Sequence, residues 1–337
     1  MKKTFTILIL IFFCTTSFVK EKKVESSCSN TVWGFYGHRK INRLAVFTLP
    51  KGMFTFYKKH IEYLTEHAVD PDKRRYAVEG EAPRHYIDID HYHHDSLTPF
   101  EYVPRQWNQA VEKFTEDTLL AYGIVPWHVN SMQHWLTMAF KEKDIRKILK
   151  RSAELGHYIG DASVPLHTTE NYNGQLTNQK GIHGFWESRI PELFSEDYDF
   201  WVGQSVYIDN PLNFIWERVE ESSNAVDSVL GFEKKLNGTF PSDKKYAYDN
   251  RSNSTIKTYS KDYSREYQDM LDGMVERRMR SAITSVGSYW YTAWMNAGQP
   301  NLNTIENKEM SDKEKKEAQK LDEEYRKGKI KGREHQH

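Results

Sequence analysis

His157-Tyr158-Ile159-Gly160-Asp161-Ala162-Ser163-Val164-Pro165-Leu166-His167, resumed after a polar insert by Gly181-Ile182-His183-Gly184-Phe185-Trp186-Glu187, is the stretch from which the rest of the chain can be read. His157 and Asp161 lie four apart, as do His183 and Glu187. Each pair therefore falls on one face of a helix, one turn apart, where two side chains can grip the same ion. His167 completes the set from a connecting segment. One such pair is common in helical proteins; two of them with a histidine between are hard to explain by packing and point to bound metal.

Working outward, apolar residues recur at helical spacing through most of the chain. Trp33-Gly34-Phe35-Tyr36-Gly37-His38 opens the periodic sequence, with Ile41, Leu44, Ala45 and Phe47 following until Pro50 ends the run. Further helices are expected over 54–65, 107–120, 129–140, 143–159, 183–194, 211–230 and 267–295, with a polar connector around Gly238 and Pro241. Residues 168–181, rich in Asn, Gly, Gln and Thr, read as a surface loop over the site. Strand signals are scarce, so the expected fold is all-α, one mostly helical domain over residues 33–300.

The flanks read differently. Lys2 and Lys3 precede an apolar run from Phe5 to Phe13, too short to span a bilayer but right for the hydrophobic region of a secretory signal, so residues 1–17 are expected to direct export to the periplasm or beyond. Cys14 offers an alternative lipoprotein anchor, against which Phe13 counts because a small residue normally stands there. Residues 18–32 form a polar lead-in, and 301–337 a charged tail with almost no apolar residues, expected to be a solvated helix or disordered.

Composition narrows the chemistry. The only cysteines are Cys14 and Cys28, both ahead of the domain, which excludes thiol catalysis, cysteine–zinc ligation and a disulfide framework within it. Ligands must then be nitrogen and oxygen. Zinc suits imidazole and carboxylate; calcium would want more oxygens, and iron or manganese share these ligands. Basic and acidic residues balance at 47 each, with no arginine-rich stripe to suit duplex DNA. Nine Trp, twenty Tyr and seventeen Phe are enough to line a cleft as well as a core. Tyr158, Tyr172, Phe185 and Trp186 flank the ligands and could shape a slot, while Tyr158 and Phe185 sit at helical positions that equally suit the core.

These ordered motifs resemble one superfamily, the zinc-dependent phospholipases C of bacteria together with the single-strand-specific zinc nucleases of fungi and plants. The likeness runs from about Trp33 to Leu193. It implies up to three zinc ions: one held by Asp70, His85, His157 and Asp161, one by His167, His183 and Glu187, and a third, bridged through Asp161, by His38 and the terminal amine and carbonyl of Trp33. Asp70 is chosen by its distance of fifteen residues before His85, with Asp72, at thirteen, in reserve. Asp88 and Asp90 take supporting work.

The implied activity is hydrolysis of a phosphodiester by water activated at the ions, with Asp161 bridging them and Asp70 orienting the water or taking its proton. No organic cofactor is implied. The expected partner is a phospholipid headgroup or single-stranded nucleic acid, met by a monomer in contact with a membrane surface in the first case. Glu187 as last ligand, the sixteen-residue step from His167 to His183 and the lack of disulfides lean toward the phospholipase branch; the Trp-Gly-x-x-Gly-His and His-Tyr-Ile-Asp motifs lean toward the nucleases. Trp33 is a departure, because Val32 is a poor residue for signal peptidase to leave behind: either a second protease trims the 28–32 lead-in, or the third site is filled differently, or only two ions are held tightly, and Trp33 equally suits the core. A phosphomonoesterase and a metal-stabilised binding domain without turnover are the competing readings.

Overall fold

The computed structural model describes residues 34–251, 254–305, 312–328 and 330–331. The segment expected to act as a secretory signal, the polar lead-in, both cysteines and Trp33 lie outside the described residues. Helices dominate, and the sheet among the described residues is one antiparallel hairpin.

Two helices form the spine. Val125–Lys141 runs into Ile145–Ala162 through a tight reversal in which Lys143 takes a left-handed conformation, φ 51°. The second helix begins there because the Asp144 carboxylate accepts from the amides of Arg146 and Lys147, both at 3.1 Å, satisfying two donors of the first turn. Helices Gly34–Ala45 and Met274–Asn296 pack across this pair. The first helix comes unusually close. A Cβ added at Gly156 would stand 2.0 Å from Asn42 Oδ1, and one at Gly160 would stand 2.9 Å from His38 Nδ1. Two glycines four residues apart thus form a bare strip on which the first helix lies, and Asn42 Nδ2 fastens it by donating to the Ala153 carbonyl at 2.9 Å.

Several helices expected to be continuous are divided. The 107–120 segment breaks at Thr115, φ 69°, into Trp107–Phe114 and Glu116–Tyr122, with the Thr115 hydroxyl accepting from the Thr118 amide. Asp272 and Gly273, both at positive φ, separate Lys261–Met270 from Met274–Asn296. The 211–230 run becomes Pro211–Ser223 and Val226–Thr239. Apolar periodicity continues across these breaks because both halves face the same core, which hides a change of direction from a reading by period.

Much of the aromatic surplus goes into the core. Trp216, Trp290, Tyr57, Tyr158, Tyr263, Tyr267 and Phe185 are fully buried, each worth about 1.5–3 kcal/mol in apolar transfer. Most of their polar handles are satisfied: Trp290 Nε1 donates to the Ser152 carbonyl at 3.0 Å, and Tyr263 Oη to Glu233 at 2.6 Å, whereas the Trp216 indole N–H is buried without a partner. Tyr158 and Phe185 therefore serve the core and do not line a slot.

Two segments gain structure that composition concealed. The polar connector carries the hairpin Tyr246–Arg251 and Ser254–Tyr259, paired with Tyr246 opposite Tyr259. It buttresses the second ligand helix: Phe185 stacks on Tyr259 at 3.9 Å, and Arg189 bonds both the Tyr259 carbonyl and Asp249. The charged tail holds a helix, Asp312–Arg326, anchored by Tyr325, whose ring stacks on Phe35 at 6.1 Å and meets Tyr76 edge-on at 5.1 Å. Beyond it the Lys331 amide donates to the Arg75 carbonyl at 2.8 Å. The same helix also offers Asp322 to Lys73 at 3.6 Å, so one aromatic residue and one ion pair dock an otherwise polar helix.

Candidate metal centre

Helix Ile145–Ala162 delivers His157 and Asp161 one turn apart, both buried. His85 ends the short turn Ala82–His85, and His167 lies in the turn Pro165–Thr168. His183 and Glu187 come from a helix that begins at Ile182, widens into a π-turn over Phe185–Arg189 and resumes as Ile190–Phe194. Pro191 cannot donate to the Glu187 carbonyl four residues back, so the ladder slips there, and π-turns of this kind gather at functional sites. His38 arrives on the first helix, over Gly160.

These residues converge. His85, His157 and Asp161 form one group of ligand atoms, His167, His183 and Glu187 a second, and His38, Asp161 and Glu187 a third, the atoms of each group lying within 4.8 Å of one another. A fourth group joins Asp72 to His38 and His157. Asp161 spans two of them: its Oδ2 lies 3.0 Å from His85 Nδ1 and 3.2 Å from His157 Nε2, while its Oδ1 lies 3.4 Å from His38 Nε2. Glu187 does likewise, with Oε2 at 2.8 Å from His183 Nε2 and Oε1 at 3.6 Å from His38 Nε2.

The protonation pattern identifies what the groups can hold. His167 Nδ1 is 2.6 Å from the His85 carbonyl and His183 Nδ1 is 3.1 Å from the Tyr172 carbonyl. A carbonyl only accepts, so both Nδ1 atoms carry the proton and both Nε2 atoms present lone pairs. Those lone pairs face each other across 3.3 Å, with the Glu187 carboxylate beside them. His157 repeats the pattern, its Nδ1 donating to the Ala68 carbonyl at 2.9 Å and its Nε2 facing His85 Nδ1 at 3.1 Å. Lone pairs brought together in a buried site need a cation between them, so the donor set fits a divalent metal.

Electrostatics agrees. Burial pushes the Asp161 carboxyl up, yet the rings of His157 and His167 hold it well below the usual carboxylate range. Burial likewise acts against Glu187, but His167, His183 and His38 hold it well below its ordinary value, and Asp72 is lowered by His157, His85 and His38. Burial lowers His157 and His183, which keeps those rings neutral and able to ligate. Burial works against charge on His38, His85 and His167 as well, but the carboxylates of Asp161, Glu187 and Glu81 outweigh it and draw those rings upward, so without an ion the ionised carboxylates compete for protons at the positions a cation would fill.

Of the residues singled out from sequence, His38, His85, His157, Asp161, His167, His183 and Glu187 are brought together. Asp70 is not. Residues two apart on a helix point about 200° apart, so only one aspartate of Asp70–Arg74 can face the histidines. Asp70 turns outward, accepting from His67 Nδ1 at 2.6 Å beside Lys73 at 3.5 Å. Asp72 turns inward, its Oδ1 3.7 Å from His157 Nε2 and 3.8 Å from His85 Nδ1. The structure thus turns Asp72, the reserve from spacing, toward the histidines in place of Asp70. Asp88 stays outside the cluster, and Asp90 pins the segment after His167 by accepting from the Thr169 hydroxyl at 2.6 Å and the Glu170 amide at 3.0 Å.

The 168–181 insert is less a surface loop than a support. Asn171, Asn173 and Gln179 are buried, Asn173 Oδ1 accepting from the Gly181 amide at 2.9 Å and Gln179 donating to Glu233 at 2.7 Å. Asn173 was missed from sequence, as was Glu81, which lies four residues before His85 in the same relation as the ligand pairs. Beside His38 and Glu187 opens a small, half-open pocket of about 40 Å³ whose exposed lining is almost wholly apolar, with Ile41, Trp186, Val275 and Met279 in its walls.

The family model for zinc dependent phospholipase C matches residues 37–273, a span that contains every residue of the cluster. No curated protein is similar enough to stand as a relative of this chain.

Proposed function

The chain belongs to the zinc-dependent phospholipase C family, and from that premise we propose that it hydrolyses the phosphodiester of a phospholipid at a cluster of up to three zinc ions. The observation that carries the reading is Asp161, whose two carboxylate oxygens face separate sets of imidazole nitrogens. Asp72, His85, His157 and Asp161 would hold one ion, His167, His183 and Glu187 a second, and His38 with Asp161 and Glu187 a third.

Zinc, when bound, makes a water nucleophilic at neutral pH and draws charge from the phosphate. The protein supplies the rest. Asp161 and Glu187, fixed between histidines, set the spacing of the three positions, so that the diester can be held by more than one of them. Asp72 takes the part that sequence assigned to Asp70, its Oδ1 an ionised acceptor at the edge of the cluster for a proton of the attacking water. Water adds to phosphorus, the bond to the glycerol oxygen breaks, and that oxygen takes up a proton, giving diacylglycerol and a phosphomonoester. The apolar lining of the pocket beside His38 and Glu187 supports a lipid over a nucleic acid, as does the burial of Tyr158, Phe185 and Trp186, which leaves Tyr172 alone of the four flanking rings partly exposed. Export through the segment around Phe5–Phe13 would bring the enzyme to this substrate.

The test is turnover by the zinc-loaded protein on phosphatidylcholine and on single-stranded DNA, with chelator controls. Chelator-sensitive release of phosphocholine without DNA cleavage is the expected result. DNA cleavage alone would transfer the chain to the nuclease branch, and inactivity on both with zinc fully bound would overturn the reading.

A further inference from the structure

His157, His167 and His183 follow one rule: each gives its Nδ1 proton to a main-chain carbonyl and turns Nε2 inward. His85 breaks the rule. Its Nδ1 is the inward atom, 3.0 Å from Asp161 Oδ2, which leaves Nε2 on the far side, buried and without a hydrogen bond. Across from that nitrogen, at 3.7 Å, stands Glu81 Oε1.

Glu81 is fully buried and rigidly held. Arg84 Nη1 donates to its Oε2 at 2.7 Å, the Tyr158 hydroxyl donates to its Oε1, and Arg74 Nη2 lies 3.4 Å from the same oxygen. Arg74 in turn donates to Glu154 at 2.6 Å and to Tyr158 Oη at 3.0 Å. Glu154 and Tyr158 sit one turn apart on the helix that carries His157 and Asp161, and Arg74 follows Asp72 on its own helix. The elements that present Asp72, His85, His157 and Asp161 are therefore tied together behind the cluster. An ionised carboxylate already balanced by two arginines has acceptor capacity left for the ring in front of it.

We propose that Glu81 is a positioning residue for the metal centre: it accepts the Nε2 proton of His85, fixes the tautomer that turns Nδ1 to the ion, and makes this ring a stronger donor than its carbonyl-backed neighbours. Closing the gap to hydrogen-bond distance takes a movement of roughly 0.7 Å. Carboxylate support of a ligating imidazole raises its basicity, and its removal typically costs about 10- to 100-fold in metal affinity. The inference rests on the zinc reading above.

Two measurements test it. In the zinc-loaded wild-type protein labelled with ¹⁵N-histidine, NMR should show His85 as the Nε2–H tautomer and His157, His167 and His183 as Nδ1–H tautomers. In competition with a chromogenic chelator, Glu81→Gln should surrender one equivalent of zinc about 10- to 100-fold more readily, while Glu154→Gln, which disturbs the same arginine without touching His85, should retain it. An Nδ1–H tautomer at His85, or a folded Glu81→Gln that holds zinc as the wild type does, overturns the proposal. Should Glu81→Gln fail to fold, the wild-type tautomer decides alone. A wild-type protein that takes up no zinc removes the functional reading itself, whereas uptake with the wrong tautomer removes only the role of Glu81.

Discussion

Gly160→Ala places one methyl group where the first helix crosses the metal-bearing helix. The new Cβ would stand 2.9 Å from His38 Nδ1 and 3.2 Å from its Cε1, against optimal contacts of roughly 3.5–4.0 Å, so the ring must retreat by about 0.5–1 Å. It cannot retreat freely, because its Nε2 is aimed at Asp161 Oδ1 and Glu187 Oε1. Overpacking of this kind costs about 1–3 kcal/mol, and the better helix propensity of alanine returns up to about 1 kcal/mol. The net is about 0–2 kcal/mol, a fall in Tm of only a few degrees for a domain of this size. A misplacement near 1 Å at a reacting centre, by contrast, costs about 100-fold in rate. Thermal melts, zinc content by mass spectrometry and headgroup release should therefore diverge: near-native stability, loss of the ion held by His38, and turnover down by one to two orders of magnitude. Gly231→Ala is the control, since that exposed helical glycine has nothing within 4 Å of the added carbon, and it should gain about 0.5–1 kcal/mol with activity intact. Full zinc content and full turnover in Gly160→Ala would refute the claim that the glycine strip sets the position of His38.

Asp72→Asn should lower zinc content and reduce phosphodiester turnover at least about 10-fold, whereas Asp70→Asn should leave both within about twofold; the reverse order in metal analysis and kinetics would restore the choice made from spacing. His128 is buried, and burial, with help from Arg84, lowers its pKa from 6.5 to about 3. The folded state therefore prefers the neutral ring, and its contribution, complete above the unfolded value near 6.5, should erode by about 1.4 kcal/mol per pH unit as pH falls toward 3. Urea unfolding of wild type and His128→Gln between pH 7 and 5 should show the variant with the shallower loss, and parallel curves would count against it. Tyr325→Ala removes two ring contacts and should free the tail helix at a cost of about 1–3 kcal/mol, seen as accelerated amide exchange over residues 312–326 with the core unchanged.

How far sequence carried the argument depended on how local each signal was. His157 with Asp161, and His183 with Glu187, were legible because helical spacing alone places them. A mostly helical architecture followed from periodicity, but its breaks at Thr115 and at Asp272-Gly273 did not, since a reversal of direction leaves the apolar period intact. Choosing between Asp70 and Asp72 required the facing of a five-residue helix, which no count of intervening residues supplies. The hairpin was hidden because Tyr246, Tyr248 and Tyr259 are spaced among Asn, Ser and Lys that read as a loop, and its stability comes from the Arg189 clamp and the Phe185–Tyr259 stack outside it. Glu81 was within reach, four residues ahead of His85, but its role is visible only once the ring is seen to be turned around.

The three sets of ligand atoms differ in how much chain must be in place before each exists. His167, His183 and Glu187 are gathered within 21 residues, a span that can close early and survive large fluctuations elsewhere. His38 reaches Asp161 and Glu187 only after more than a hundred residues have been folded between them, and it rides on the helix at the very start of the described chain. Opening of that one helix would strip a single position while leaving the others whole. Metal loading should therefore be stepwise in folding as well as in affinity, with the last ion to bind reporting that the first helix has settled onto its glycine strip.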